Sequence, residues 1–183
     1  TTKLFGVKIK NLFKMRDMSS ETLKSIYIQG ILPSVTYALP IWGNGCKNQL
    51  DHLNDLHCKV ARMIFRTGNQ MSNTDVLKLA KFESIDLMYK RQLACLSYKL
   101  FKNELPDSLT KWRAEKKTGR VLRNNHRVKL PPFNKIAYKK SFAYRSAVIW
   151  NQLSNETVDQ NSFSCFKNKL KNDLNHLSFV EGG

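Results

Sequence analysis

Apolar residues recur at intervals of three and four through most of this chain, and no other feature constrains its fold as strongly. The clearest case begins near Asn48, where Leu53, Val60 and Ile64 fall on one face of a predicted helix and basic residues fall elsewhere. Other segments with helical spacing begin near Ser20, Ser72, Ser84, Ser141 and Ser162. The sequence therefore predicts a mainly α fold with little strand.

The helical pattern fails after Pro106, and this change divides the chain. From Lys111 to Arg145, lysine and arginine recur throughout, and Glu115 is the one acid among them. Such a run is typical of a solvated, loop-rich segment. We therefore expect a small helical bundle over residues 1–110, followed over residues 111–183 by a basic, loop-rich segment and C-terminal helices.

The balance of charge indicates a polyanionic partner. The chain contains 31 lysines and arginines against 14 acids, which gives a formal net charge of +17. Hydrophobic residues make up 42% of the chain, which is enough for folding, so the charge lies on a globular protein. Because a field of this size attracts nucleic acid, we expect RNA, DNA or both as partners, with binding that depends on salt.

Neither a membrane nor an oxidising compartment is indicated. The most apolar stretch, residues 26–42, is broken by two prolines and a glycine and is too polar to span a bilayer. The four cysteines are widely spaced and form no C-x-x-C pair, which is typical of reduced thiols. We expect a nuclear or cytoplasmic protein with no membrane partner.

Few residues could carry catalysis. Asp51 and Asp55 are four residues apart, as a pair on one helix face would be, but no further acid lies close in sequence to complete a metal site. His52 and His57 would complete a phosphodiester-cleaving group, which is the weakest of the functions considered. No spacing matches a zinc finger or a phosphate loop. We expect no cofactor, no metal site and no catalytic residue, and hence no enzyme acting on its own.

Aromatic rings alternate with the cations of the basic segment, among them Trp112, Phe133 and Tyr138. The cations would follow phosphates, and the rings would stack on unpaired bases or anchor the segment to the core. If instead the rings belong to the core and the charges only keep the surface soluble, polyanions bind weakly.

Several stretches follow one another in a characteristic order. Residues 31–43 fit the pattern L-P-x-x-x-Y-x-x-x-x-W-G, and residues 50–64 carry spaced leucines followed by A-R-M-I. Residues 122–124 read L-R-N, residues 140–153 contain S-F-x-Y-R-x-x-x-x-W-N-x-L, and residues 162–167 read S-F-x-x-F-K. In this order they resemble the thumb and C-terminal end of LINE-type (non-LTR) retrotransposon reverse transcriptases, the Jockey-like branch especially.

This resemblance covers about Ile31 to Leu170 and departs from the family at Ser154, where proline is usual. The fingers, the palm with its metal-binding aspartates and the family's endonuclease are not in this sequence. The resemblance therefore implies a nucleic-acid-binding fragment of an RNA-directed DNA polymerase that does not synthesise DNA alone. Its partners would be RNA or DNA and the upstream fingers and palm.

The distribution of basic residues, taken together with this resemblance, predicts two basic surfaces, one for the template-primer duplex and one for element RNA or target DNA. The first would comprise Lys8, Lys10, Lys14 and Arg16. The second would comprise Arg120, Arg123, Arg127, Lys139, Lys140 and Arg145. We expect structural roles for Trp42, Asn44, Phe142, Trp150 and Phe166.

Two functions of other classes remain open from the sequence. A free-standing basic DNA- or RNA-binding module, such as an architectural protein, would fold independently and begin at its own start codon. A helical interaction protein for acidic partners would bind nucleic acid no better than other polyanions.

Overall fold

The described residues of the chain fold mainly into helices. The computed structural model describes residues 2–15, 17–43, 47–113, 127–132 and 136–174. Within them there is no strand, only an isolated bridge position at Val128, so the expected mainly α fold is confirmed. The chain divides into two compact units, Thr1–Tyr89 and Lys90–Gly183. The boundary predicted from the sequence, after residue 110, falls within the second unit.

The first unit is built from seven helices and the beginning of an eighth. They are α1 (Thr2–Lys14), α2 (Ser20–Ile26), a π-helical turn π1 (Tyr27–Ile31), α3 (Leu32–Thr36), α4 (Leu39–Trp42), α5 (Lys47–Phe65), α6 (Asn73–Ala80) and the start of α7 (Ile85–Phe101). The segment before Arg16 is helical. It buries Phe5, Ile9 and Leu12, and α1 contacts α5 and π1.

The π-helical turn lies where a proline would otherwise interrupt a helix. The N–H of Leu32 donates to the carbonyl of Tyr27, five residues back. Pro33 follows with no N–H to donate, and its ring clashes with the preceding turn of a regular α-helix. Because a π turn is wider, α2, π1 and α3 follow one another without a gap from Ser20 to Thr36.

Helix α5 provides the core of this unit. It packs against α6, where Cys58 and Ala61 contact Val76, Leu77 and Ala80 in a buried cluster. Leu50 and His57 also belong to the apolar face predicted from the sequence. Leu53, His57, Val60 and Ile64 are buried, and Leu50 is half-buried.

Gly43, just after α4, allows a close approach of the chain to itself. A Cβ atom at this position would lie 2.7 Å from the backbone oxygen of Leu39 and 3.1 Å from Cδ2 of Tyr89. The W-G pair of the first motif therefore ends in glycine because no side chain fits there. The ring nitrogen of Trp42 donates to the carbonyl of Tyr37 at 2.7 Å, in keeping with a structural role.

Within its described residues, the second unit contains the rest of α7 and five further helices. They are α8 (Asp107–Thr110), α9 (Ile136–Lys139), α10 (Phe142–Gln152), α11 (Asn155–Val158) and α12 (Phe163–Asp173). Aromatic pairs form its core, with ring centroids 4.4 Å apart for Tyr98 and Phe166 and 4.7 Å apart for Phe101 and Trp150. Trp150 and Phe166 are buried, as expected of structural residues, whereas Phe142 is half-buried and Asn44 lies outside the described residues.

Asn151, in the W-N-x-L motif, attaches an extended piece of the basic segment to α10. Its Oδ1 accepts from the backbone N–H of Val128 at 2.9 Å, and its Nδ2 donates to the carbonyl of the same residue at 3.0 Å. The side-chain amide thus pairs with Val128 as a neighbouring strand would. Val128 itself is buried, so residues 127–132 are joined to the second unit by both polar and apolar contacts.

Candidate nucleic-acid interface

The predicted first basic surface lies on α1. Lys10 and Lys14 are four residues apart on the exposed side of the helix, and Val7 is exposed on the same side. Lys8 is only half-exposed, and its Nζ donates to Oγ of Ser34 at 2.8 Å. The structure therefore places two of the predicted cations together in solvent and gives the third a contact with α3. Arg16, the fourth predicted member, lies outside the described residues.

The predicted second basic surface is described in part. Lys139 ends α9, Lys140 follows it, and Arg145 lies in the first turns of α10, so these three cations are close along the chain. Lys140 is exposed, and the other two are half-buried. Arg127 is exposed beside the residue that Asn151 holds. The remaining two, Arg120 and Arg123, lie outside the described residues.

Other cations are used inside the first unit. The Nζ of Lys24 donates to the carbonyl of Ala80 at 3.0 Å and lies 5.7 Å from the ring centroids of both Phe65 and Phe82. It thereby satisfies a carbonyl at the C-terminus of α6, where a positive charge also offsets the helix dipole.

Arg62, the arginine of the motif at residues 50–64, has a similar internal role. Its Nη2 donates to the carbonyl of Met71 and to Oδ1 of Asn73, both at 2.8 Å. These bonds hold the connection between α5 and α6 against α5. The motif arginine therefore stabilises the fold and adds little to an exposed basic surface.

A cluster of cations that the sequence analysis did not single out lies on α7 and α12. The Nζ atoms of Lys99 and Lys167 lie 4.8 and 5.0 Å from the ring centroid of Phe163, and that of Lys102 lies 5.7 Å from the ring of Tyr98. The spacing of Phe163 and Lys167 within S-F-x-x-F-K was a signal for one half of this cluster. The contribution of α7 depends on tertiary packing and had no signal in the sequence.

The histidine considered for catalysis is enclosed in the first unit. The hydroxyl of Tyr27 donates to Nδ1 of His57 at 2.5 Å, and Nε2 of His57 donates to the carbonyl of Glu83 at 3.1 Å. The carbonyl can only accept, which assigns the proton to Nε2. The His57 ring also stacks on Phe82, with centroids 5.2 Å apart. Burial lowers the pKa of His57 from 6.5 to about 4, so the ring is neutral near pH 7.

The other members of the phosphodiester hypothesis do not join this histidine. His52, Asp51 and Asp55 are exposed, and Oδ1 of Asp55 accepts from Nδ2 of Asn73 at 3.3 Å. Among the described residues, no group of three or more His, Cys, Asp or Glu side chains could hold a metal ion. Nor is any described helix both long and apolar enough to cross a membrane.

Comparison with known proteins adds no relative to these observations. No family model, no curated protein and no solved structure matches the chain.

The candidate interface consists of three groups of cations. They are the exposed lysines of α1, the cations around the start of α10, and the cations gathered near α7 and α12.

Proposed function

We propose that this chain is the nucleic-acid-binding C-terminal part of a LINE-type reverse transcriptase without its catalytic palm. In this proposal, the first unit holds the template-primer duplex, and the second contacts element RNA or target DNA. The chain carries no polymerase activity by itself, and the upstream fingers and palm are its partners in the polyprotein.

The net charge of +17 is the observation that carries the proposal, together with the order of the motifs. Charge of this size favours a phosphate backbone over other partners. On α1 the exposed side presents Lys10 and Lys14, while the opposite side is buried in the first unit. A duplex could therefore contact these two cations without any change in the core.

Exposed apolar side chains in the first unit support a further protein partner. Tyr37, the tyrosine of the first motif, has 81% of its surface exposed, and Ile28 and Ile41 are also exposed. A surface with several such side chains is typical of a protein contact. In the proposal, the palm of the same polyprotein covers this surface.

Fluorescence anisotropy of the purified chain tests the proposal. Labelled single-stranded RNA, RNA–DNA hybrid and duplex DNA are each titrated across a salt series, with heparin as competitor. We expect hybrid or RNA binding that persists when heparin is added. Equal binding to every ligand, fully removed by salt and heparin, would show a basic helical domain with no preference for nucleic acid.

Two double variants make the same experiment specific for α1. K10Q/K14Q removes the exposed pair, and K78Q/K81Q removes two exposed charges from α6 as a matched control. Each changes the net charge by the same amount, so a difference between them reports position rather than total charge. We expect hybrid binding to weaken more in K10Q/K14Q, and equal weakening would contradict the role of α1.

A further inference from the structure

We infer that four cations, from α7, from the residue directly after it and from α12, form a phosphate-binding site for nucleic acid, two of them at the ring of Phe163. We call this group the α7–α12 cation cluster, and its members are Arg91, Lys99, Lys102 and Lys167. The inference rests on the proposed function and assigns part of it to a site, since none of these residues belongs to the two surfaces that the sequence predicts.

A single aromatic ring gathers two of these cations. Lys99 comes from α7 and Lys167 from α12, yet their Nζ atoms lie 4.8 and 5.0 Å from the centroid of the same Phe163 ring. The ring attracts ammonium groups at this distance, which helps to hold both near one point. Phe163 is in turn fixed by Tyr98, whose ring centroid lies 5.7 Å away. The cluster is therefore held by the core of the second unit.

Cations from both helices act electrostatically on the thiol of Cys95. Burial raises the pKa of the Cys95 thiol and has the largest effect. Three cations, Arg91, Lys167 and Lys99, each act in the opposite direction and lower this pKa. Arg91, Cys95 and Lys99 are spaced four residues apart, so they form one row along α7. The third cation, Lys167, reaches the same thiol from α12. Cations of both helices thus converge on one half-buried position.

Two acids of α11 and α12 have partners elsewhere, whereas the carboxylate of Glu104, after burial, also raises the pKa of the Tyr98 hydroxyl and so lies near the cluster. Oε2 of Glu156 pairs with Nζ of Lys169 at 3.0 Å, and Oδ2 of Asp173 accepts from the N–H and the hydroxyl of Ser154, both at 3.0 Å. Their charges are thus committed away from the cluster.

A phosphodiester backbone fits the cluster better than a single small anion. Like charges held close together repel one another, and the repulsion is larger where apolar rings displace water. Successive phosphates would offset it, and the row on α7 places two of the cations, Arg91 and Lys99, two helical turns apart. Guanidinium and ammonium groups are the usual partners of phosphate in proteins. Binding here uses charge and spacing, so it would show little dependence on base sequence.

The test compares two double variants of the full chain that lose the same charge. K99Q/K167Q removes the two lysines at Phe163, and K78Q/K169Q removes one lysine of α6 and one of α12 outside the cluster. The probe is a short, labelled single-stranded RNA at fixed salt, read by anisotropy. We expect affinity to fall about tenfold or more in K99Q/K167Q and less than about twofold in K78Q/K169Q.

A charge-retaining variant and a chemical footprint separate binding from folding. K99R/K167R keeps both charges and should retain the affinity within about twofold. Acetylation of lysines, read by mass spectrometry, should show Lys99 and Lys167 protected by RNA and Lys78 unprotected.

The possible results separate the phosphate-binding site from the proposed function. Equal losses in K99Q/K167Q and K78Q/K169Q, or no protection of Lys99 and Lys167, would overturn the site while the proposed function stands. Loss of affinity in K99R/K167R equal to that in K99Q/K167Q would assign the effect to packing and also overturn the site. No RNA binding by the unchanged chain would remove the proposed function and the site together.

Discussion

Tyr27 and His57 provide a fully paired polar contact inside an apolar interior. Both nitrogens of the imidazole have partners, the Tyr27 hydroxyl and the Glu83 carbonyl, and the rings of Tyr27 and Phe82 lie against it. Burial also raises the pKa of Tyr27, so its hydroxyl keeps the proton that it donates. The contact depends on a neutral histidine, because an imidazolium has no nitrogen that can accept.

We expect the first unit to lose stability in mild acid through His57. The unfolded chain binds a proton near the ordinary pKa of 6.5, whereas burial lowers the folded-state pKa to about 4. The unfolded state therefore binds more protons between these values, and the free energy of unfolding should fall by about 2 kcal/mol from pH 7 to pH 5. The intact chain is unfolded in urea at each pH, and pulse-labelling mass spectrometry follows unfolding at the peptides that cover α5. The midpoint urea concentration measures the change in the free energy of unfolding.

Two variants identify the histidine responsible. His57→Phe should remove most of the decline, while His52→Gln changes an exposed histidine and should retain it. A decline of the same size in His57→Phe would show that another group is titrating.

Gly43→Ala should destabilise the first unit by about 1–3 kcal/mol. The new methyl group would lie 2.7 Å from a backbone oxygen, which cannot move aside as a flexible side chain can. Gly68→Ala is the matched control, since its Cβ would meet nothing within 4 Å. Thermal denaturation followed by circular dichroism compares the two. A smaller loss in Gly43→Ala than in Gly68→Ala would contradict the close approach.

At the scale of the helices, local hydrogen bonds decide where the elements begin and end. The hydroxyls of Ser19, Ser72 and Ser141 accept from backbone N–H groups three residues on, which caps α2, α6 and α10. At the other end of α6, Lys81 adopts a left-handed conformation with φ of 55°. There the N–H of Phe82 donates to the carbonyl of Leu77 at 2.9 Å, as in a Schellman motif.

Lys81→Gly should stabilise the first unit by about 0.5–1 kcal/mol. A left-handed conformation costs a lysine free energy that glycine does not lose, and this gain exceeds the extra freedom of glycine in the unfolded chain. Lys78→Gly removes the same charge from the interior of α6 and should cost about 1 kcal/mol. Urea denaturation of the two variants should therefore move in opposite directions, and a shift of equal sign would refute the assignment.

Much of the helical framework could be predicted from the sequence, because helical spacing and caps are local signals. The helices near Ser20, Asn48, Ser72, Ser84 and Ser141 begin within about a residue of where the pattern placed them. The π turn before Pro33 could not be predicted, because a proline within an apolar run indicates an interruption and not how the chain accommodates it.

The candidate site was less accessible to sequence reasoning. The cations of α1 stand out because Lys10 and Lys14 oppose a buried apolar face. The α7–α12 cation cluster joins residues about seventy positions apart, and only packing around Phe163 brings them together. Lys24 and Arg62 give the converse case, since composition counts them as surface charge and the structure uses them internally.

For the whole molecule, formal charge overstates the charge that a ligand meets. The slope of log affinity against log salt counts the phosphates contacted, at about −0.7 for each in a single strand. If the α7–α12 cation cluster binds a short RNA with its four cations, the slope should be about −3, far from the value that +17 would give.

In K99Q/K167Q the slope should become less steep by about 1.4, in proportion to the two lost contacts. Anisotropy titrations at several salt concentrations give both numbers. A slope that is unchanged in this variant would mean that the phosphates are held elsewhere on the chain.

The pairing of Asn151 with Val128 places an unusual restriction on which amino acids can occupy position 128. The amide recognises only an N–H and a C=O, which nineteen of the twenty amino acids supply in the same form. Size at position 128 is restricted by the buried space that the valine fills. Proline alone would remove one of the two hydrogen bonds, whatever its fit, because it has no N–H to donate to Oδ1 of Asn151.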